Sequence, residues 1–319
     1  MMQFNRIELG KIARELGFVR DTFEKVCRLT DVLEFFQNDA LLSNSLALKG
    51  GTAINLTIFN LPRLSVDIDL DFTQNIPRDE MLIVRKQITE KISKYMTARG
   101  YHLSQKSKLY HALDSFVYEY QNAGGMRDNL KIEINYMLRC HVLMPLRRAV
   151  NLPWLDQEVT TLSVNPMEIF ASKTVALINR AAPRDLYDMN TMITQKLFDE
   201  TQDALLKKCV IFYCAIGSES VPDRFNFDNI DTVSQQRVKT DLLPVLRHGT
   251  WFDAKQARNQ VLAYLQKLLI PDEQELLFWA TFSHREYRPE LLFPEKEIIS
   301  NIRQHPMALW KCRDRNDAV

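Results

Sequence analysis

The chain has 319 residues, 46% hydrophobic and 25% charged, and its Lys plus Arg (41) nearly match its Asp plus Glu (40). This is an ordinary globular composition, long enough for two cores, and the near-neutral balance excludes a global electrostatic attraction to nucleic acid, so any such contact needs a local basic patch. Five cysteines in no metal-ligand arrangement favour a reducing, cytoplasmic setting over a disulfide scaffold.

The first ten residues lack an apolar core, so no signal peptide is expected. No run approaches the roughly 18–20 apolar residues of a membrane span, so no membrane role is expected. Ile7, Ile12 and Leu16, then Phe23, Val26, Leu29, Val32, Leu33 and Phe36, recur at helical spacing and predict two helices within 5–38. Ser45 to Leu48 reads as a short strand. Gly50-Gly51-Thr52 then opens a short helix reaching Phe59, which Leu61-Pro62-Arg63 breaks. A strand over 65–72 precedes a long amphipathic helix, Arg78 to Arg99, ended by Gly100. Strands follow at about 101–110, 114–121 and 130–138, with Asn122-Ala123-Gly124-Gly125 as the turn between the last two. A weak strand at 159–164 leads to a helix start at Asn165-Pro166. Helix then dominates through 283, with breaks near Gly217, Val221-Pro222, Gly249 and Pro271, and a final helix beyond an irregular stretch from Tyr287. The fold class is α+β: a mixed-sheet domain with N-terminal helices over 1–160, and a helical domain over 161–319. A site is expected in the cleft between them.

Side chains alternate faces along a strand, so Ser65, Asp67, Asp69 and Asp71 share one face while Val66, Ile68, Leu70 and Phe72 share the other. The apolar face must be core, and register then fixes the acidic face. Like charges at this spacing call for a cation, and Mg²⁺ (or Mn²⁺) binds through a few carboxylates plus phosphate oxygens. An exposed acidic strand face is the plain alternative. Just upstream, Gly50 and Gly51 allow close backbone approach to a phosphate. Thr52 is placed to cap a helix whose N-terminus offers free N–H groups to an anion. Lys131, Glu133 and Asn135 show the same alternation, which makes Glu133 a candidate third metal-site acid or base, or else simply an ion-pair partner of Lys131.

Asn165 and Pro166 start a helix in which Glu168 completes a capping-box-like pattern. Ile169, Lys173, Ala176, Leu177 and Arg180 lie on one side of it, so Lys173 and Arg180 sit on or beside the inward stripe, a place from which long basic chains also snorkel. A lysine there would neutralise a triphosphate. Pro183 ends the helix, and Arg184-Asp185-Leu186-Tyr187-Asp188 opens the next. Arg184 and Asp188 can pair at i, i+4, or Asp185 or Asp188 orients Lys173 or an arginine in the site.

Taken in order, Gly50-Gly51-Thr52, Arg63-x-Ser65-x-Asp67-x-Asp69, the Lys131-to-Asn135 strand, Lys173 and Arg184-Asp185-Leu186-Tyr187-Asp188 resemble the AbiEii/AbiGii nucleotidyltransferase toxin family, which includes the MenT toxins. The resemblance covers roughly 35–215. It implies a polymerase-β-like nucleotidyltransferase domain joined to a helical domain, in a toxin of bacterial toxin–antitoxin and phage-defence (abortive-infection) systems, with a cognate antitoxin encoded nearby. It implies Asp67 and Asp69 on Mg²⁺, Gly50, Gly51 and Thr52 on the nucleotide phosphates, and Lys173 on the triphosphate. Asp185 or Asp188 becomes the late acidic residue, and Arg63, Ser65, Arg180 and Arg184 join the nucleotide side. Asp71 lies outside this pattern.

The expected activity is therefore metal-dependent transfer of a nucleotide from an NTP to an RNA hydroxyl, the tRNA 3′ end in the best-understood members. Basic residues Lys131, Arg139, Arg147 and Arg148, with Glu133 the sole acid between them, and Arg99, Lys106 and Lys108 give local support for RNA. A small-molecule or protein hydroxyl as acceptor, and a non-catalytic nucleotide-sensing module, are the alternatives.

Overall fold

The computed structural model describes residues 5–152, 154 and 158–313. They divide into two compact units. One holds the residues up to Arg139, Pro145–Val164 and Pro244–Thr250; the other holds Cys140–Met144, Asn165–Leu243 and the residues from Trp251.

The first unit is built on a mixed sheet of β1 (Leu46–Lys49), β2 (Asp67–Phe72), β3 (His102–Leu103), β4 (Lys108–Leu109), β5 (Leu113–Gln121), β6 (Arg127–Asn135), β7 (Leu146–Ala149) and β8 (Thr160–Ser163). The order is β3-β5-β6-β2-β1-β8-β7, with β4 also on β5. β2 runs parallel to β6 and antiparallel to β1, and β1 runs parallel to β8. The alternation is realised: Ile68, Leu70 and Phe72 of β2 and Leu130, Ile132 and Ile134 of β6 are fully buried. Each such side chain contributes about 1.5–3 kcal/mol of burial. The helices of this unit are α1 (Arg6–Glu15), α2 (Arg20–Asn38), α3 (Ala40–Ser45), α4 (Gly50–Ala53) and α5 (Arg78–Ala98). α2 packs on α1, β6 and β8, and α5 packs on β3.

Several local expectations are corrected. Ile7 is 83% exposed, because α1 buries Leu9 and Ala13, and Ile7 points about 200° away from Leu9 at 100° per residue. The strand foreseen at 101–110 is two short pieces, β3 and β4. β7 went unforeseen because Leu-Arg-Arg-Ala is a half-polar edge strand with little alternation. The helix after the glycine turn is one α-turn, α4, running into a π-helical turn over Ile54–Ile58, closed by Phe59 N–H donating to the Ile54 carbonyl at 2.9 Å. Asn55 holds this wider turn: its Nδ2 donates to the Gly51 carbonyl (2.7 Å) and its Oδ1 accepts from the Arg63 N–H (3.2 Å).

Residues 244–250 return to the first unit as a strap. The Val245 carbonyl accepts from Leu64 N–H (2.8 Å), His248 N–H donates to the Gly17 carbonyl, and the Arg247 guanidinium donates to the carbonyls of Leu16 (2.8 Å) and Leu61 (3.2 Å) while lying 4.8 Å from the Phe18 ring centre.

The second unit is helical: α6 (Pro166–Arg180), α7 (Pro183–Thr194), α8 (Glu200–Gly217), α9 (Gln235–Asp241), α10 (Ala254–Leu268), α11 (Glu273–Ser283), α12 (Lys296–Ile302) and α13 (Pro306–Cys312). α8 is its core, fully burying Leu206, Cys209, Val210, Ile211 and Phe212 against neighbours that include α6 and α11. Burial pushes the Cys209 thiol well above its ordinary range and the Cys214 thiol up to about 12, so both are inert packing groups. Among the described residues, no helix is long and apolar enough to cross a membrane.

Glu168 does not cap α6 as its position suggests. Asn165 caps alone, on Met167 N–H (3.0 Å), and the Glu168 carboxyl is fully buried. It accepts from the N–H groups of Val142 (2.8 Å) and Leu143 (2.9 Å) and from the Tyr213 hydroxyl. Burial raises its pKa, against the opposing pull of His141 and these donors.

Candidate active site

In the first unit, strand pairing assembles one polar face. Asp67, Asp69 and Asp71 of β2 lie opposite Lys131, Glu133 and Asn135 of β6, and Lys49 of β1 lies opposite Asp69. Residues directly opposite on adjacent strands share a face, so two lysines and four carboxylates stand together. Lys49 Nζ lies 2.5 Å from Asp71 Oδ1, and Lys131 Nζ lies 2.9 Å from Glu133 Oε2. The two ammoniums are thus engaged at the flanks, with Asp67 and Asp69 central. Burial works against the Lys131 charge, but the Glu133 hydrogen bond and the negative field of Glu133, Asp67 and Asp69 hold its ammonium above its ordinary range.

The glycine turn is packed against this face. Gly50 has φ +65°, a conformation that favours glycine, and a Cβ there would lie 2.8 Å from Asp69 Oδ2. A Cβ on Gly51 would lie 2.7 Å from Arg63 Nη2 and 2.9 Å from Ser65 Oγ. A side chain at either position would therefore force its neighbours to shift, and the turn, Arg63, Ser65 and Asp69 form one constellation. Thr52 is not the helix N-cap. Lys49 occupies that position, and Thr52 lies fully buried within α4, its hydroxyl donating to the Asp67 carbonyl. The hydroxyl therefore fastens the acidic strand to the helix, leaving the backbone of the first turn for an anion. Arg63 is 2% exposed and donates from Nη1 to the Leu64 carbonyl (2.9 Å).

Can these residues hold Mg²⁺? Two carboxylates on one face, with no sulfur or imidazole among them, are the oxygen donor set that this ion completes with water and phosphate oxygens. The donor set is all oxygen, so the Asp67–Asp69 pair fits. The three-acid set with Glu133 is not assembled. Glu133 is held by Lys131, and among the described residues no three His, Cys, Asp or Glu side chains gather as a metal cluster. Lys49 was missed at the sequence level. Its link to Asp71 depends on the antiparallel pairing of β1 with β2, which no local pattern announces.

In the second unit, the α6–α7 corner gathers the other expected residues. Ala181 takes the left-handed C-cap conformation and Pro183 starts α7, which folds α7 back beside α6. Lys173, 8% exposed, lies 2.8 Å from Asp185 Oδ1 and 3.2 Å from Asp188 Oδ2. Arg180 Nε donates to Asp185 Oδ2 (2.8 Å). Burial would raise the Asp185 carboxyl, but Lys173 and Arg180 outweigh it and hold it below the usual carboxylate range. Arg184 donates from Nε to the Asp241 carbonyl (2.7 Å). A separate cavity of about 590 Å³ in this unit, lined by Lys196, Lys207, Tyr264 and Lys267 among others, contains none of the expected site residues.

A search of curated proteins finds no match. Among solved structures, the chain is similar in fold to MenT4, a nucleotidyltransferase toxin from Mycobacterium tuberculosis H37Rv, with a TM-score of 0.64 and 16% identity over 95% of this chain and 99% of that one. Residues 35–263 match the family model described as nucleotidyl transferase AbiEii toxin, type IV TA system. That span exceeds half of the sequence and contains both the acidic face and the Lys173 corner, and the chain accordingly belongs to the AbiEii family of nucleotidyltransferase toxins.

Proposed function

We propose that this toxin transfers a nucleotide from an NTP to an RNA hydroxyl, the 3′ end of tRNA being the acceptor, in a reaction that depends on Mg²⁺ held by Asp67 and Asp69. The observation that carries the reading is the contact of the glycine turn with the acidic pair. Gly50 lies so close to the Asp69 carboxylate that an added methyl group, 2.8 Å from Oδ2, would force that carboxylate to shift. A phosphate held on the first turn of α4 is thereby next to the carboxylates. The ion, when bound, supplies positive charge that neutralises the triphosphate and polarises the reacting phosphorus.

The acceptor oxygen forms a bond to the α-phosphorus while the bond to the β-phosphate bridging oxygen breaks, and pyrophosphate leaves. The backbone N–H groups of Gly51 and Thr52 bind phosphate oxygens. Arg63 and Ser65, in contact with Gly51, fix the shape of that cradle. To Glu133, in register with Asp69, we assign the proton of the acceptor hydroxyl. Lys173 carries the triphosphate charge, its ammonium oriented by Asp185 and Asp188. A type IV system pairs its toxin with an antitoxin, so an antitoxin is the expected cellular partner.

Incubating the protein with labelled NTPs, Mg²⁺ and total tRNA tests the reading. Label should enter tRNA with wild type and fall by at least about 100-fold in the Asp67→Ala, Asp69→Ala double variant, the scale of losing electrostatic stabilisation at a reacting centre. Equal labelling by both proteins would refute the assignment. Label appearing only in protein or small molecules would refute the acceptor.

A further inference from the structure

The outer side of α1 opens a second feature in the first unit. A groove of about 910 Å³ is lined by Arg6, Ile7, Gly10, Arg14, Arg20 and His248 among others, and no aspartate or glutamate lines it. The two glutamates of α1, Glu8 and Glu15, are not among the lining residues. Arg6 and Arg14 are exposed and make no ion pair among the described residues, whereas Arg20 is partly neutralised by Asp21 at 2.8 Å. Gly10 stands between Arg6 and Arg14 on the helix. A Cβ there would touch only Arg20 Cδ, at 3.9 Å, so the floor is open.

We infer that this groove binds the phosphate backbone of a nucleic acid, and that it is the surface on which the RNA acceptor lies. The inference rests on the RNA reading given above. Arg6 and Arg14 are eight residues apart on one helix, about 12 Å along its axis at about 1.5 Å per residue. That separation is too wide for the guanidiniums to converge on one small anion, and suits several phosphates in a row, each bound through a planar fork of donors. An acidic protein partner fits less well. Such an interface needs an apolar centre, and the exposed apolar surface here is limited to Ile7, 83% exposed, and Val19, 38% exposed. The groove is also tied to the phosphate turn. His248 belongs to the strap whose neighbours Val245 and Arg247 bond Leu64 and Leu61, on either side of Arg63.

The test is fluorescence anisotropy with a labelled single-stranded RNA and labelled tRNA across a salt series, comparing wild type with Arg6→Ala, Arg14→Ala. Both side chains are exposed, so the variant should keep the wild-type melting curve. The double variant should bind RNA about tenfold more weakly, with the slope of log K against log salt reduced by about 1.4 on single strands. NTP affinity, measured by calorimetry, should be unchanged. Wild-type affinity and slope in the variant, with tRNA still labelled by the enzyme, would overturn the groove and leave the reaction standing. Binding of polyglutamate as tight as that of RNA would also overturn it, in favour of an acidic protein. A wild type that binds NTP but no RNA would overturn the acceptor reading first and the groove with it.

Discussion

Alanine substitution distinguishes the two glycines of the phosphate turn. Gly51→Ala places Cβ 2.7 Å from the Arg63 guanidinium, a group with only 2% exposure that cannot swing away into solvent. The cradle must shift by a few tenths of an ångström or more, and misplacement on the ångström scale costs about 100-fold in rate. Turnover should therefore fall by about 10–100-fold, with the melting temperature lowered by the overpacking alone, a cost of about 1–3 kcal/mol. Gly50→Ala faces the same crowding, from Asp69 Oδ2, and must also adopt φ +65°. Strain of this kind adds about 1–3 kcal/mol to the crowding, so this variant should lose more stability than Gly51→Ala. Parallel thermal melts and label-transfer rates separate the two. Equal melting temperatures for both variants would contradict the conformational argument.

At the scale of elements, the α6–α7 corner is held by charge. Lys173 and Arg180 come from α6, Asp185 and Asp188 from α7, and Asp185 is 2% exposed. Because the Asp185 pKa is lowered in the folded state, its contribution is present above the unfolded value, near pH 4, and is lost as pH falls through the lower folded value. Urea midpoints of wild type should thus drop as pH is lowered below about 4. Asp185→Asn should cost up to about 3–5 kcal/mol at pH 7, the cost of breaking a buried pair, and should flatten that acid limb. An unchanged pH profile in the variant would show that Asp185 is not the linked group. This corner was largely legible in the sequence, because Pro166, Pro183 and the spacing of Lys173 and Arg180 are local signals. The polar face was half legible. Alternation placed Asp67, Asp69 and Asp71 together, and likewise Lys131, Glu133 and Asn135. The register that sets Asp69 opposite Glu133 joins segments some 64 residues apart, and no local pattern encodes it. Thr52 and Glu168 misled for a related reason: both match capping patterns, but tertiary contacts to Asp67 and to Val142, Leu143 and Tyr213 claim their side chains.

At the scale of the whole molecule, the chain passes repeatedly between its two units, contributing Cys140–Met144 to the second and Pro244–Thr250 to the first. The strap is the most exacting of these crossings, since Arg247 serves the carbonyls of Leu16 and Leu61 and covers Phe18. Arg247→Ala should destabilise the protein by roughly 2–4 kcal/mol, from two charge-assisted hydrogen bonds and a cation–π contact. Chemical denaturation followed by circular dichroism measures it, and a loss under about 0.5 kcal/mol, the level of an ordinary surface substitution, would show the strap to be dispensable. The strap also sets a timetable during synthesis. At about 5–20 residues per second, a ribosome needs roughly 4–16 s to travel from residue 164 to residue 244. Throughout that interval, the nascent chain carries its acidic face without the segment that closes Leu16, Leu61 and Leu64, and a protease would meet the chain first in that unfinished form.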